Sequence, residues 1–259
     1  MRAPLLLALL SAAGCSAAPA ATTPKSFTLP EALHCGRAVP DACGPRMRSF
    51  PDLPSTLCES CSDGPGGPDD PPVTAGQMSD AAATAKRLFD NHRWSHAAPR
   101  ILAVARGDTK DDMGNRQIAD YHLAIALYYL GDRNASADLW TGISWNPRHQ
   151  KFRETMLWLG RLAVSGECVP RPVLEALTRY HEEPITCSGG SSAAMTFRNP
   201  TVPGQRERWK GVLFARARGL MLAGNQREAR SELESLLREP HLAAAARQCL
   251  SAIDHPGGA

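Results

Sequence analysis

From Ser79 onward, small and large apolar residues recur at helical spacing, interrupted by short polar breaks. Three stretches carry one pattern in full. Ala81-x2-Thr84-Ala85-x2-Leu88 leads to Ala97-x3-Ile101, and Asp120-x2-Leu123-Ala124-x2-Leu127 leads to Ser136-x3-Trp140. Leu213-x2-Arg216-Ala217-x2-Leu220 leads to Ala229-x3-Leu233. In each, the inner small residue stands twelve positions ahead of the next one (Ala85 to Ala97, Ala124 to Ser136, Ala217 to Ala229). Small side chains let two helices approach closely while their bulky neighbours fill the seam. The pattern therefore predicts an all-α chain built of antiparallel helix pairs.

Breaks and caps set the expected bounds. Helices are predicted over 79–90, 95–106, 116–130, 135–144, 151–164, 172–181, 206–223, 227–238 and 241–252. Ser79-Asp80 is the start cap of the first, and Asn91-His92-Arg93 breaks it from the second, whose Pro99 falls in the early turns. Gly131-Asp132-Arg133 and Gly224-Asn225 supply turns, with Gly131 where a helix end takes a left-handed residue. The 151–181 pair keeps Trp158-Leu159-x2-Leu162 but has Arg171 in place of the second small residue, so it is degenerate. A Gly, Ser and Pro-rich loop over 183–205 separates it from the last full pair, and helix 241–252 shields the final seam.

These motifs resemble the tetratricopeptide repeat, a helix-turn-helix unit of about 34 residues. The resemblance implies a solenoid over 79–255 whose first helices line a concave groove for a protein or peptide segment. Matched position by position, the groove would be lined by Lys86 and Phe89, by Tyr121, Ile125, Tyr128 and Tyr129, by Met156, and by Phe214, Arg218 and Met221. Three of the chain's four tyrosines lie on one helix, and tyrosine joins a large contact area to a polar tip. The competing account of any one of them is packing between repeats, and the competing fold is a generic helical bundle. Trp94, Trp140 and Trp158 are expected to fill seams.

The first residues change the picture. Met1-Arg2 precedes an apolar run from Ala3 to Ala13, too short to span a membrane and suited to an export signal. Leu10-Ser11-Ala12-Ala13-Gly14-Cys15 resembles the bacterial lipoprotein signal, apart from Ala12, where leucine is usual. That resemblance implies removal of residues 1–14 and lipidation of Cys15 as the new N-terminus. Ser16 in second place then implies anchoring in the outer membrane of the cell envelope, facing the periplasm. Ordinary cleavage after Ala18-Pro19-Ala20 is the alternative.

Residues 15–78 hold 11 of the 21 prolines and read as an irregular Pro/Gly/Cys-rich tail and linker. Export places the cysteines in an oxidising compartment, where disulfides are the default. Cys35, Cys43, Cys58 and Cys61 allow three pairings among themselves. Cys168 and Cys187 bracket the second helix of the degenerate pair, and a bridge between them would tether the 183–205 loop. Cys249 is left over, as a buried free thiol on an apolar helix face or as a substitute in a bridge. His34, Cys35, Cys43 and Cys58-Glu59-Ser60-Cys61 also sketch a metal-binding or thiol-exchange module, held in position by the helices. Only one close pair is present, and no βαβ pattern surrounds it.

Net charge is +3, too weak to argue for nucleic acid. Residues 16–78 carry four Lys/Arg against seven Asp/Glu, leaving a basic helical region that is best explained as a solvated face. His92 and His96 are four apart, but the break at Arg93 intervenes. No nucleophile elbow, phosphate loop, dinucleotide fingerprint or His-Glu-x-x-His occurs. The sequence reads as a non-enzyme without cofactor, metal or small-molecule substrate. It would act on a protein partner of the envelope and reach the membrane through its lipid.

Overall fold

The computed structural model describes residues 27–43, 74–165, 168–179 and 205–255. They are helical, with no strand among the described residues. In chain order the helices are α1 (Asp80–Asp90), α2 (Trp94–Ala105), α3 (Met113–Leu130), α4 (Arg133–Ile143), α5 (Phe152–Ser165), α6 (Arg171–Leu177), α7 (Gln205–Leu222), α8 (Gln226–Leu236) and α9 (Ala243–Asp254). A 3-10 turn, Glu31–Leu33, precedes them. The spacing-based expectations match helix for helix, and α6 alone is clearly shorter than expected. No helix among the described residues is long and apolar enough to cross a membrane.

Each helix packs mainly on the one before it and the one after it. Weaker contacts join α1 to α3 and α4 to α6, whereas α5 meets α7 as extensively as it meets α4 or α6. All six small residues of the twelve-residue spacing lie in the interior. Ala97, Ala124, Ser136, Ala217 and Ala229 are fully buried and Ala85 nearly so. Their large partners Ile101, Leu127, Trp140, Leu220 and Leu233 are buried beside them. Removing this apolar surface from water is the main favourable term.

The turns repeat as closely as the seams. His92, Gly131 and Gly224 each stand seven positions after the inner small residue, and each has a positive φ, of 57°, 93° and 79°. The next residues, Arg93, Asp132 and Asn225, share φ near −85° and ψ of 61°, 75° and 65°. Glycine reaches the left-handed region without strain, so two of the three turns use it. Asp132 and Asn225 then cap the following helix, accepting from the amides of Ala135 at 3.1 Å and Glu228 at 3.5 Å. Ser79 caps α1 in the same way and is itself held by Asp111, through its amide at 2.9 Å and its hydroxyl at 2.6 Å.

The cysteines depart from expectation. Cys35 bridges Cys249 on α9, and Cys43 bridges Cys168 just before α6. The anticipated Cys168–Cys187 tether is therefore not formed, Cys249 is not a free thiol, and Cys35 and Cys43 do not pair within the tail. Cys58, Cys61 and Cys187 lie outside the described residues, as do the signal segment with Cys15 and most of the 183–205 loop. The physical reason is proximity in space. The first part of the tail is a strap laid across the helices rather than a knot of its own. Leu29 and Leu33 on it are buried in the common core. Bridges of this kind fit an oxidising, exported environment.

Candidate partner-binding surface

The first helices of the pairs, α1, α3, α5 and α7, carry all ten groove candidates, and the structure divides these into three groups. Tyr121, Ile125, Met156 and Phe214 are buried, which corrects their assignment to an open groove lining. The reason is local. α3 is covered on two sides, and the Tyr121 hydroxyl accepts a hydrogen bond from Trp158 Nε1 at 3.1 Å inside the seam with α5. Arg218 is buried too, and Met221 is partly buried; both lie near the strap. Lys86, Phe89, Tyr128 and Tyr129 remain at or near the surface.

The exposed group is organised by stacked rings. Tyr129, 44% exposed, lies flat on Trp94, with centroids 4.8 Å apart and planes 9° apart. Trp94 in turn stacks on exposed His92 at 5.1 Å. Phe89 meets Trp94 edge-on at 5.1 Å and stacks on His122 at 4.3 Å. The chain of rings continues inward, through Tyr128 and Trp158, to a stacked Trp140–Trp158 pair at 4.9 Å that is wholly buried. Arg161 lies over Trp158 at 4.9 Å and over Tyr128 at 5.7 Å, and Arg133 lies 6.0 Å above Tyr128. Such cation–ring contacts are worth about 0.5–2 kcal/mol each and fix the faces the rings present.

Beside the rings, α1, α2 and α3 leave a half-open, largely apolar cavity of about 210 Å³. Ala82 and Lys86 line it from α1, Ile118 and His122 from α3, and Ala75 and Met78 from the segment leading into α1. Lys86 pairs with Asp90 at 2.5 Å on its rim. Burial lowers the His122 pKa to about 4, helped by the positive charges of Lys151 and Lys86, so the ring is neutral at physiological pH. A neutral imidazole stacked on Phe89 adds to the apolar wall rather than to the charge.

Three contributors were missed from sequence. Trp94, expected to fill a seam, packs on the core but is only partly buried, because it opens α2 straight after the left-handed His92 and so sits at the mouth of the turn. His92, which reads from sequence as a surface histidine, and His122 both join the ring stack. The available signal was that aromatic residues bracket the first helix break on both sides, at Phe89, His92 and Trp94. Among the described residues, no group of three or more His, Cys, Asp or Glu is placed to hold a metal ion. The arrangement offers flat apolar faces, one cavity wide enough for a side chain, and cations at the edge. Comparison with protein-family models, curated proteins and solved structures finds no match for this chain.

Proposed function

We propose that this chain is a non-catalytic scaffold of the bacterial cell envelope, a tetratricopeptide-like solenoid anchored by a lipid on Cys15. It binds a segment of another envelope protein on the amino-terminal part of its concave face. The observation that carries this reading is the open ring stack of His92, Trp94 and Tyr129, continuous through Phe89 with the apolar cavity at Lys86 and His122. Solvent-exposed aromatic rings that are already fixed in place lose little entropy on binding, which suits them as interface anchors. The repeated turn geometry and the buried small residues support the solenoid. A role in outer-membrane assembly, secretion or pilus biogenesis follows from the resemblance and the expected location.

The competing account, a metal or thiol-exchange module in the tail, is weakened by the bridges. Two of its four cysteines are committed to the helical body. The scaffold is tested by placing a photo-crosslinking amino acid at position 133, beside the rings, and identifying the captured protein. Trp94→Ala with Tyr129→Ala should cut capture of that protein at least tenfold while the helical circular dichroism signal is unchanged. Undiminished capture refutes the site. Mass spectrometry of the mature N-terminus from a membrane fraction tests the anchor, and an unmodified Ala21 start rejects it.

A further inference from the structure

Residues 27–43 lie on the helices as a ligand lies in a groove. On α7, Gly211, Phe214, Arg218 and Met221 are three, four and three apart and form one stripe. The strap meets one end of that stripe with Phe27, whose ring edge stands 2.5 Å from where a Cβ on Gly211 would be. It meets the other end with Cys35, whose sulfur is 3.8 Å from Met221 Sδ. Beyond Cys35 the strap turns across the neighbouring helices. The Arg171 amide donates to the Pro40 carbonyl at 2.7 Å, and Asn134 pairs with the Cys43 backbone through both its oxygen and its nitrogen, at 3.2 and 3.1 Å. The Asn134 side chain thus holds the Cys43 backbone at both its amide and its carbonyl.

In the register set by Ala85 and Ala217, the stripe on α7 corresponds to Ser79, the cap of α1, and to Ala82, Lys86 and Phe89 on α1. Ala82 and Lys86 line the half-open cavity, and Phe89 joins the ring stack. One face is thus open at the start of the chain's helices and filled by its own tail at the end. The fit at the filled end is incomplete. Arg218 is 6% exposed, yet among the described residues its guanidinium makes one polar contact, Nη1 to Met221 Sδ at 3.9 Å, and its Nε makes none. A buried cation without an anion is costly, and a segment that had become ordinary core would be expected to pair or replace it.

We propose that residues 27–43 are a tethered ligand, fastened by the two bridges, that closes the carboxy-terminal half of the groove and confines outside partners to α1–α3. The proposal rests on the groove reading above. It is tested in the full chain carrying Cys35→Ser, Cys43→Ser, Cys168→Ser and Cys249→Ala, with Leu29→Ser and Leu33→Ser to loosen the strap. The probe is a fluorescein-labelled synthetic peptide of residues 27–42 with Cys35→Ser, followed by anisotropy. The loosened chain should keep its helical signal and bind the peptide at least tenfold more tightly than the oxidised wild type. Adding Gly211→Leu, which fills the place of Phe27, should reduce binding at least tenfold.

Collapse of the helical signal when the strap is loosened overturns the proposal, because the strap is then core. A folded variant that binds no better than wild type also overturns it. Amide hydrogen exchange of the unaltered oxidised chain gives a check free of substitutions. The Cys43 and Arg171 amides should exchange at least tenfold faster than the buried amides of α7, and equal protection contradicts the proposal. The test fails independently of the amino-terminal surface, since Tyr129→Ala on α3 should change partner capture and leave peptide binding untouched.

Discussion

Gly219→Ala sets two well-known magnitudes against each other. Gly219 lies within α7 where that helix crosses α6. A Cβ there would stand 2.8 Å from the Leu174 carbonyl carbon and 3.0 Å from Thr178 Cγ2, and closer still to the Leu174 carbonyl oxygen. Helix propensity favours the substitution by about 0.8–1.0 kcal/mol. Overpacking opposes it by about 1–3 kcal/mol, and by the upper part of that range where the obstacle is backbone that cannot rotate aside. α6 cannot yield cheaply, because Val173, Leu174 and Ala176 on it are fully buried and Leu177 nearly so. The expected net loss is about 2 kcal/mol, or a fall of roughly 4–8 °C in Tm for a chain of this size. The assay is thermal melting of the oxidised protein by circular dichroism. Gly224→Ala is the control, since nothing lies within 4 Å of it and its only penalty comes from φ of 79°, about 1–2 kcal/mol. A Gly219→Ala protein that melts at or above the wild-type temperature refutes the tight crossing and shows propensity in command.

Three further outcomes follow from the same packing. Ala124→Leu adds methylenes to a fully buried seam position and should lower stability by about 1–3 kcal/mol, read as a lower urea midpoint; an unchanged midpoint contradicts the seam. Burial lowers the pKa values of His122 and His149 to about 4 from an ordinary 6.5, with Lys151 adding repulsion at each. The unfolded chain therefore takes up these protons first, so their stabilising effect is complete above pH 6.5 and is lost as pH falls toward 4. Each histidine should contribute a slope of about 1.4 kcal/mol per pH unit in that window, and urea midpoints at pH 7 and pH 4.5 should show His149→Gln flattening it. Arg218→Met removes a buried cation and should raise stability by on the order of 1–3 kcal/mol, visible as a higher Tm; a lower Tm shows that the guanidinium has a function in the closed state.

Much of the fold was legible because its causes are local. Small residues twelve apart within each full pair, a glycine or histidine at its break, and the Asp or Asn that follows each of the two glycines all act within a turn or two of their own place. The helices accordingly fall where the spacing put them. Part of the surface was legible for the same reason, since Phe89, Tyr128 and Tyr129 keep an accessible face. Tyr121, Ile125, Met156 and Phe214 are not open to solvent, because burial depends on which neighbour a helix face meets rather than on its own sequence.

By itself, then, the sequence determined that this is a chain of paired helices and where each begins and turns. Only the tertiary structure decided that the tail returns across them. Cys35 and Cys249 are 214 positions apart, and Cys43 and Cys168 are 125 apart. No local preference can select such partners, because closing loops of that length costs nearly the same entropy for many pairings. What selects them is the shape of the folded helical body, which offers the strap apolar places for Leu29 and Leu33 and brings one sulfur within reach of another.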